Sequence, residues 1–173
     1  MQIIFIRHGE PNYEGVTRNQ FIGHGRDLAE LTSEGISQAE RVSKDRRLIG
    51  AELILSSPYT RALQTAAIIS KNIGLDLRVE LALHEWLPDT TFRYRGPEHF
   101  PSLMKEVSRC HGEHNSSCSY EWESFSEVRK RAENIFSKYI DCGKIIVVTH
   151  GLLIRQFVPQ DKISYCGISE MKI

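Results

Sequence analysis

Two segments near opposite ends of the chain carry the same ending. Residues 3–10 read IIFIRHGE and residues 144–151 read KIIVVTHG, each a short apolar run that stops at a histidine followed by glycine. A run apolar throughout, with no alternation, is the pattern of a parallel strand buried on both faces, and such strands occur in sheets covered by helices on both sides. In open sheets of this kind, ligands bind at the carboxyl ends of the strands. Two strand ends with the same residues therefore point to one shared site around His8 and His150.

The rest of the chain alternates in the way this architecture needs. After a polar loop rich in Gly, Asn and Arg, Thr32 is expected to cap a helix with Glu34 in its first turn and Ile36, Ala39 and Val42 on its apolar side. Residues 52–55 read as a second strand. Ser57 as N-cap and Pro58 at the first helical position are expected to start a helix with Ala62, Ala66, Ile69 and Ile73 on one face, stopping at Gly74. Residues 77–83 are a third strand. The pattern then breaks over residues 86–119, where Pro88, Pro97 and Pro101 interrupt it around one helical patch at Phe100, Leu103, Met104 and Val107. This stretch reads as a cap-like insertion over the sheet. An amphipathic helix follows through Phe125, Val128, Ala132, Ile135, Phe136 and Tyr139, then a strand over 145–149, a helix from about Leu152 closed by Pro159, and an edge strand at about 167–173. The expected fold is one domain over residues 1–173, a three-layer α/β/α sandwich with a mostly parallel central sheet.

Charge narrows the partners. The 173 residues hold 22 Lys and Arg against 22 Asp and Glu. No global field draws nucleic acid or a membrane surface, so any anion selectivity has to come from arginines within a cleft. The apolar run at Ile3–Ile6 is too short for a signal segment and is closed by Arg7, which makes the cytoplasm the expected compartment. The four cysteines, Cys110, Cys118, Cys142 and Cys166, lack the spacing of a disulfide framework and read as thiols. The segment from Cys110 through His111 and His114 to Cys118 has the composition of a metal cluster without any standard zinc spacing, so it reads as a polar loop and no metal is expected.

The chemistry collects just after the strands: Arg7 and His8 after the first, Arg61 in the helix after the second, Glu85 after the third and His150 after the fourth. Guanidinium groups bind phosphate oxygens in pairs, a helix N-terminus at Ser57-Pro58 favours an anion, and the glycines after each histidine let backbone come close. This is the equipment for a dianionic phosphoryl group.

RHGE at 7–10, DLAELTSEG at 27–35, SSPYTRALQTA at 56–66, LHEW at 83–86 and VVTHG at 147–151 together resemble the histidine phosphatase superfamily, also called the phosphoglycerate mutase-like fold. The resemblance spans nearly the whole chain. It implies that His8 is a nucleophile that becomes a phosphohistidine, that Arg7, Arg61 and His150 hold the phosphoryl oxygens, and that Glu85 protonates the leaving oxygen, with Asp89 as the fallback acid. It implies no cofactor. Mutase members carry an asparagine six residues after the nucleophile, where this chain has Glu14; Asn12 is nearby but out of register. The expected function is therefore a metal-independent phosphatase acting on a small-molecule phosphomonoester, with a phosphoprotein as the other substrate class. The alternatives are phosphoglycerate mutase-type transfer and a catalytically idle binder of phosphorylated ligands. Specificity is expected from residues 86–119 and 11–26. Arg93, Arg95, His99, His111 and His114 are candidate substrate contacts, and Trp86, Phe92 and Tyr94 are candidate pocket or core residues.

Overall fold

The computed structural model describes residues 1–93 and 97–173. Strands β1 (Gln2–Arg7), β4 (Leu53–Ser56), β5 (Leu77–Val79), β6 (Lys144–Thr149) and β7 (Ile168–Lys172) form one sheet in the order β5-β4-β6-β1-β7. All neighbours are parallel except β7, the expected edge strand, which lies antiparallel on β1. A two-residue ribbon joins β2 (Pro11–Asn12) to β3 (Glu30–Leu31), and α1 (Glu14–Arg18) with a short 3-10 segment at Gly23–Leu28 fills the loop between them.

The sheet is buried on both faces, as the unbroken apolar runs require. Ile3, Phe5, Leu53, Leu55, Ile145 and Val147 point to one side, where α4 (Phe100–Arg109), α5 (Phe125–Lys138) and α6 (Gly151–Arg155) cover them. Ile4, Ile6, Ile54, Ile146 and Val148 point to the other, under α2 (Ser33–Val42) and α3 (Thr60–Ile73). This is the three-layer arrangement expected. Among the described residues no helix is long and apolar enough to cross a membrane.

Several local expectations shift. Thr32 does cap α2, accepting from the Gly35 amide, but the buried stripe is Gly35, Ala39 and Val42, which leaves Ile36 one position off it and exposed. Helix α3 starts at Thr60 with Tyr59 as N-cap, so Ser57 does not cap it. The third strand ends at Val79, and residues 81–83 turn as a 3-10 segment that sinks Leu83 into the core. Helix α6 stops at Arg155, short of Pro159. Within the segment 86–119, α4 sends Leu103 and Val107 into the core under the sheet, and the buried Glu106 carboxylate accepts from the Ser119 and Tyr120 amides and the Trp122 indole.

The loop after β1 is held by contact of backbone with backbone. Glu10 accepts from the Thr32 amide at 2.9 Å and its carboxylate takes the Thr32 hydroxyl at 2.7 Å, while the Gly9 amide donates to Thr65 Oγ1 on α3 at 3.0 Å. A Cβ on Gly9 would come within 2.6 Å of the Gly35 carbonyl oxygen, and one on Gly35 would strike the Glu10 carbonyl oxygen. Gly9 was expected to admit a ligand; its absent side chain instead admits helix α2. Gly35→Ala is thus expected to cost about 1–3 kcal/mol, lowering the melting midpoint by several degrees, whereas Gly15→Ala, which meets nothing within 4 Å, should be neutral or stabilising. Equal midpoints for wild type and Gly35→Ala would show that the interlock yields without cost.

Candidate active site

Strand register brings the two histidines together. Arg7 pairs with Thr149 across β1 and β6, so His8 and His150, each one residue further, emerge side by side with ring centroids 5.1 Å apart. Both are buried. His8 Nδ1 lies 2.7 Å from the Gly9 carbonyl and donates to it, which leaves the Nε2 lone pair outward. Burial first, then the Arg61 and Arg7 guanidiniums, bring the His8 pKa down to about 3. The ring is neutral and nucleophilic at pH 7.

His150 is also kept neutral, by burial and then by Arg61. Its Nε2 is 2.8 Å from Ser57 Oγ. That hydroxyl also accepts from the Tyr59 amide at 3.3 Å, which ties the ring to the turn before α3. Nδ1 has no partner, and neither does the buried Arg7 Nε. Arg7 Nε is a buried donor without an acceptor, and donors of this kind are suited to an oxyanion. Arg7 is held by its Nη1 on the Ile163 carbonyl at 2.6 Å and by the Tyr165 ring, 4.2 Å from the guanidinium carbon. Arg61 reaches His8 Nε2 through Nε at 3.3 Å and Asp27 through Nη1 at 3.2 Å.

Glu85 lines a pocket together with Arg7, Asp27 and Tyr59, its carboxylate accepting from the Trp86 amide at 2.9 Å and the Leu152 and Leu153 amides at 3.3 Å. Burial outweighs these bonds and raises its pKa. Asp89 differs: burial would raise its pKa, but the Thr91 hydroxyl and amide overrule it and hold the carboxyl below its usual range. Glu85 is thus the better proton donor of the two. Its loop is clamped from α5, where Arg131 makes a two-pronged ion pair with Glu123 at 2.6 and 3.2 Å and donates to the Ala82 and Glu85 carbonyls. Glu123 in turn accepts from the Leu87 amide through its side chain and from the Trp86 indole through its carbonyl.

The structure therefore gathers all five expected residues, Arg7, His8, Arg61, Glu85 and His150, at one sheet edge. Other candidates fall elsewhere. Arg93, His99, His111 and His114 are outside the pocket lining, with His99 beside Glu98 and His114 bonded to the Tyr120 carbonyl. Arg95 and Tyr94 lie outside the described residues. Trp86 is both core and pocket wall, and the Phe92 ring lies tilted by 38° against His24 with centroids 4.5 Å apart. Glu14 is exposed, and Asn12 accepts from its amide. Cys110 and Cys118 are thiols with sulfurs 3.4 Å apart, and among the described residues no group of three or more His, Cys, Asp or Glu is arranged to hold a metal ion. Sequence reasoning missed Ser57 as the His150 partner, Asp27, Tyr165 and the Arg131–Glu123 clamp.

Comparison with known proteins places the chain in a family and a fold. Residues 3–160 match the family model described as the histidine phosphatase superfamily, branch 1. A protein of Enterobacter sp. (strain 638) named "Probable phosphoglycerate mutase GpmB" is 33% identical over 85 residues, which is 49% of this chain and 38% of that protein, so the match spans little more than a third of the relative's length. Among solved structures, mycobacterial glucosyl-3-phosphoglycerate phosphatase in complex with inorganic phosphate superposes with a TM-score of 0.74 at 17% identity, covering 99% of this chain and 89% of that one. Bacillus stearothermophilus YhfR gives 0.71 at 18% identity, covering 99% and 91%. These structures share the fold.

Two outcomes follow. Inorganic phosphate should stabilise the protein, by about 2.7 kcal/mol at a hundred times its dissociation constant, and Arg61→Ala should remove most of the effect in a thermal melt; equal stabilisation of both proteins would place the anion elsewhere. Acid should act through the imidazoles. An unfolded His8 takes a proton near 6.5 and the native one only at about 3, so the unfolded chain binds more protons in that window and stability falls as pH drops through it. His150 adds the same sign, and Glu85, raised in the fold, adds the opposite one as pH climbs above 4.5. Urea unfolding of His8→Asn should show a shallower loss between pH 7 and pH 5 than wild type.

Proposed function

The chain belongs to the histidine phosphatase superfamily, branch 1, and on that premise we propose that it is a metal-independent phosphatase that hydrolyses a phosphomonoester through a phosphohistidine on His8. The observation that carries this reading is the opposite tuning of two groups at one sheet edge: a neutral imidazole with Nδ1 committed to the Gly9 carbonyl and its lone pair on Nε2, and a carboxyl raised toward its protonated form. A nucleophile and an acid prepared for the same pH are what a two-step transfer needs.

In the first step the His8 Nε2 lone pair forms a bond to phosphorus as the P–O bond to the alcohol breaks, and Glu85 gives its proton to the departing oxygen. Arg61 turns its Nε from His8 to a phosphoryl oxygen, joining Arg7 Nε and His150 Nδ1, so that donors meet charge as it develops. In the second step Glu85, now a carboxylate, takes a proton from water as the water oxygen attacks phosphorus and the N–P bond breaks. Guanidinium groups supply the positive charge that metal ions supply in other phosphoryl-transfer sites. The reading takes residues 1–173 as one domain, in the cytoplasm, in keeping with cysteines that lack disulfide spacing.

Phosphoglycerate mutase-type transfer is the second reading, favoured by the name of the relative from Enterobacter. At the position where mutases carry asparagine this chain has the exposed Glu14, which supports hydrolysis instead. Demand for a bisphosphorylated primer separates the two.

The test is run in excess chelator on two kinds of substrate. Wild-type turnover should persist there. Glu85→Gln should lose about 10²- to 10⁴-fold on alkyl phosphates and little on para-nitrophenyl phosphate, whose oxygen departs without a proton. Equal losses on both would take Glu85 out of the acid role, and activity restored only by a divalent ion would overturn metal independence.

A further inference from the structure

We propose that the phosphoryl site opens into a subsite for a bulky, largely apolar alcohol, so that the substrate is the phosphomonoester of such an alcohol; this rests on the phosphatase reading above. The pocket beside Arg7 and Glu85 has a volume of about 840 Å³. That is toward the upper end of cavities that enclose drug-sized ligands. A phosphate on a three-carbon acid would leave most of it to water.

Its wall is mainly apolar, built by Phe21, Ile22, Trp86, Phe100, Met104 and Leu152. Phe21, Ile22, Phe100 and Met104 are 43%, 65%, 50% and 37% exposed, so the core does not account for them. The sequence of α4 makes the same point. Leu103 and Val107, four residues apart, form the stripe that enters the core, and Phe100 and Met104, also four apart, form a second stripe on the pocket side. One stripe is enough to dock a helix. Phe21 and Ile22 are delivered by a strained turn: after α1 the Gln20 amide donates to Thr17 and the Phe21 amide to Val16, with Gln20 itself left-handed at φ 56°. A glutamine in that conformation is uncommon, and the turn aims two large apolar side chains at the pocket instead of the core.

The charges do not offer a second anion site. Asp27 is engaged with Arg61, and the Arg26 guanidinium lies 4.7 Å from the centre of the Tyr13 ring. Arg155 and Lys162 on the wall are matched in number by Asp89 and Asp161. A substrate with a carboxylate or second phosphate beyond the reacting group meets carboxylates as well as cations on this wall, with an excess of one positive charge at Arg26. An apolar body gains from the area it removes from water, and Met104 can adapt its shape to that body.

Straight-chain alkyl phosphates test this, because ethyl, butyl, hexyl and octyl phosphate leave as alcohols of nearly equal acidity and the chemical step stays constant. kcat/KM should rise at least about 100-fold from ethyl to octyl, and 3-phosphoglycerate should be no better than ethyl phosphate. Phe21→Asp and Met104→Asp, checked for fold by circular dichroism, should each cut the octyl-to-ethyl ratio at least about tenfold. Octylphosphonate, which is not hydrolysed, should bind at least about tenfold more tightly than ethylphosphonate by calorimetry. A flat alkyl series, preference for 3-phosphoglycerate, or equal binding of the two phosphonates overturns the subsite. Absence of turnover on every phosphomonoester, with octylphosphonate still preferred, overturns the phosphatase reading and leaves the subsite standing.

Discussion

The pairing of β1 with β6 is the constraint on which the site depends. Their parallel ladder sets Arg7 against Thr149, and from that register His8, His150 and the Arg7 side chain all inherit their places. Side chains alternate faces along a strand, so a slip of one residue would send the core residues of β1 to the wrong layer. Ile3 and Phe5 belong to one apolar cluster and Ile4 and Ile6 to the other, so both layers oppose the slip. The same packing that stabilises the sheet fixes the two imidazoles.

Burial then does the chemical tuning. It disfavours the charged form of any group, lowering the pKa of His8 and His150 and raising that of Glu85, and in the histidines Arg61 reinforces it. One physical effect thus keeps the His8 imidazole unprotonated and shifts the Glu85 carboxyl toward its protonated form. The cost is two buried nitrogens without partners, Arg7 Nε and His150 Nδ1, and imidazoles whose lowered pKa favours the unfolded chain in acid. Backbone contacts keep these groups in place: Gly9 against Gly35 on the nucleophile side, and Arg131 with Glu123 under the Glu85 loop.

What was legible in the sequence was local. Apolar runs ending in RHG and THG mark strand ends within eight residues, and Thr32 or Gly74 mark helix ends by their own capping chemistry. From these, the layered sheet and five site residues follow. What was not legible depends on distant parts of the chain. Ser57 reads as a helix cap because a serine before proline usually is one; that its hydroxyl meets His150, 93 residues away, depends on β4 lying beside β6. Arg131 looks like one of many helix-surface cations, and only the fold turns it toward Glu85, 46 residues earlier. Tyr165 has no sequence signal at all, since its place over Arg7 is set by a turn in which Cys166 is left-handed at φ 53°. The loop at 11–26 hid a helix of five residues, too short to show periodicity.

The central claim is that His8 carries the phosphoryl group, and that it does so on Nε2 because Nδ1 is committed to the Gly9 carbonyl. The most direct measurement is to quench the enzyme in alkali during turnover of an excess of good substrate and identify the modified residue by mass spectrometry and its isomer by NMR. The account predicts an acid-labile, alkali-stable phosphohistidine at His8, phosphorylated on Nε2. Phosphate on another residue, or on His8 Nδ1, would contradict it.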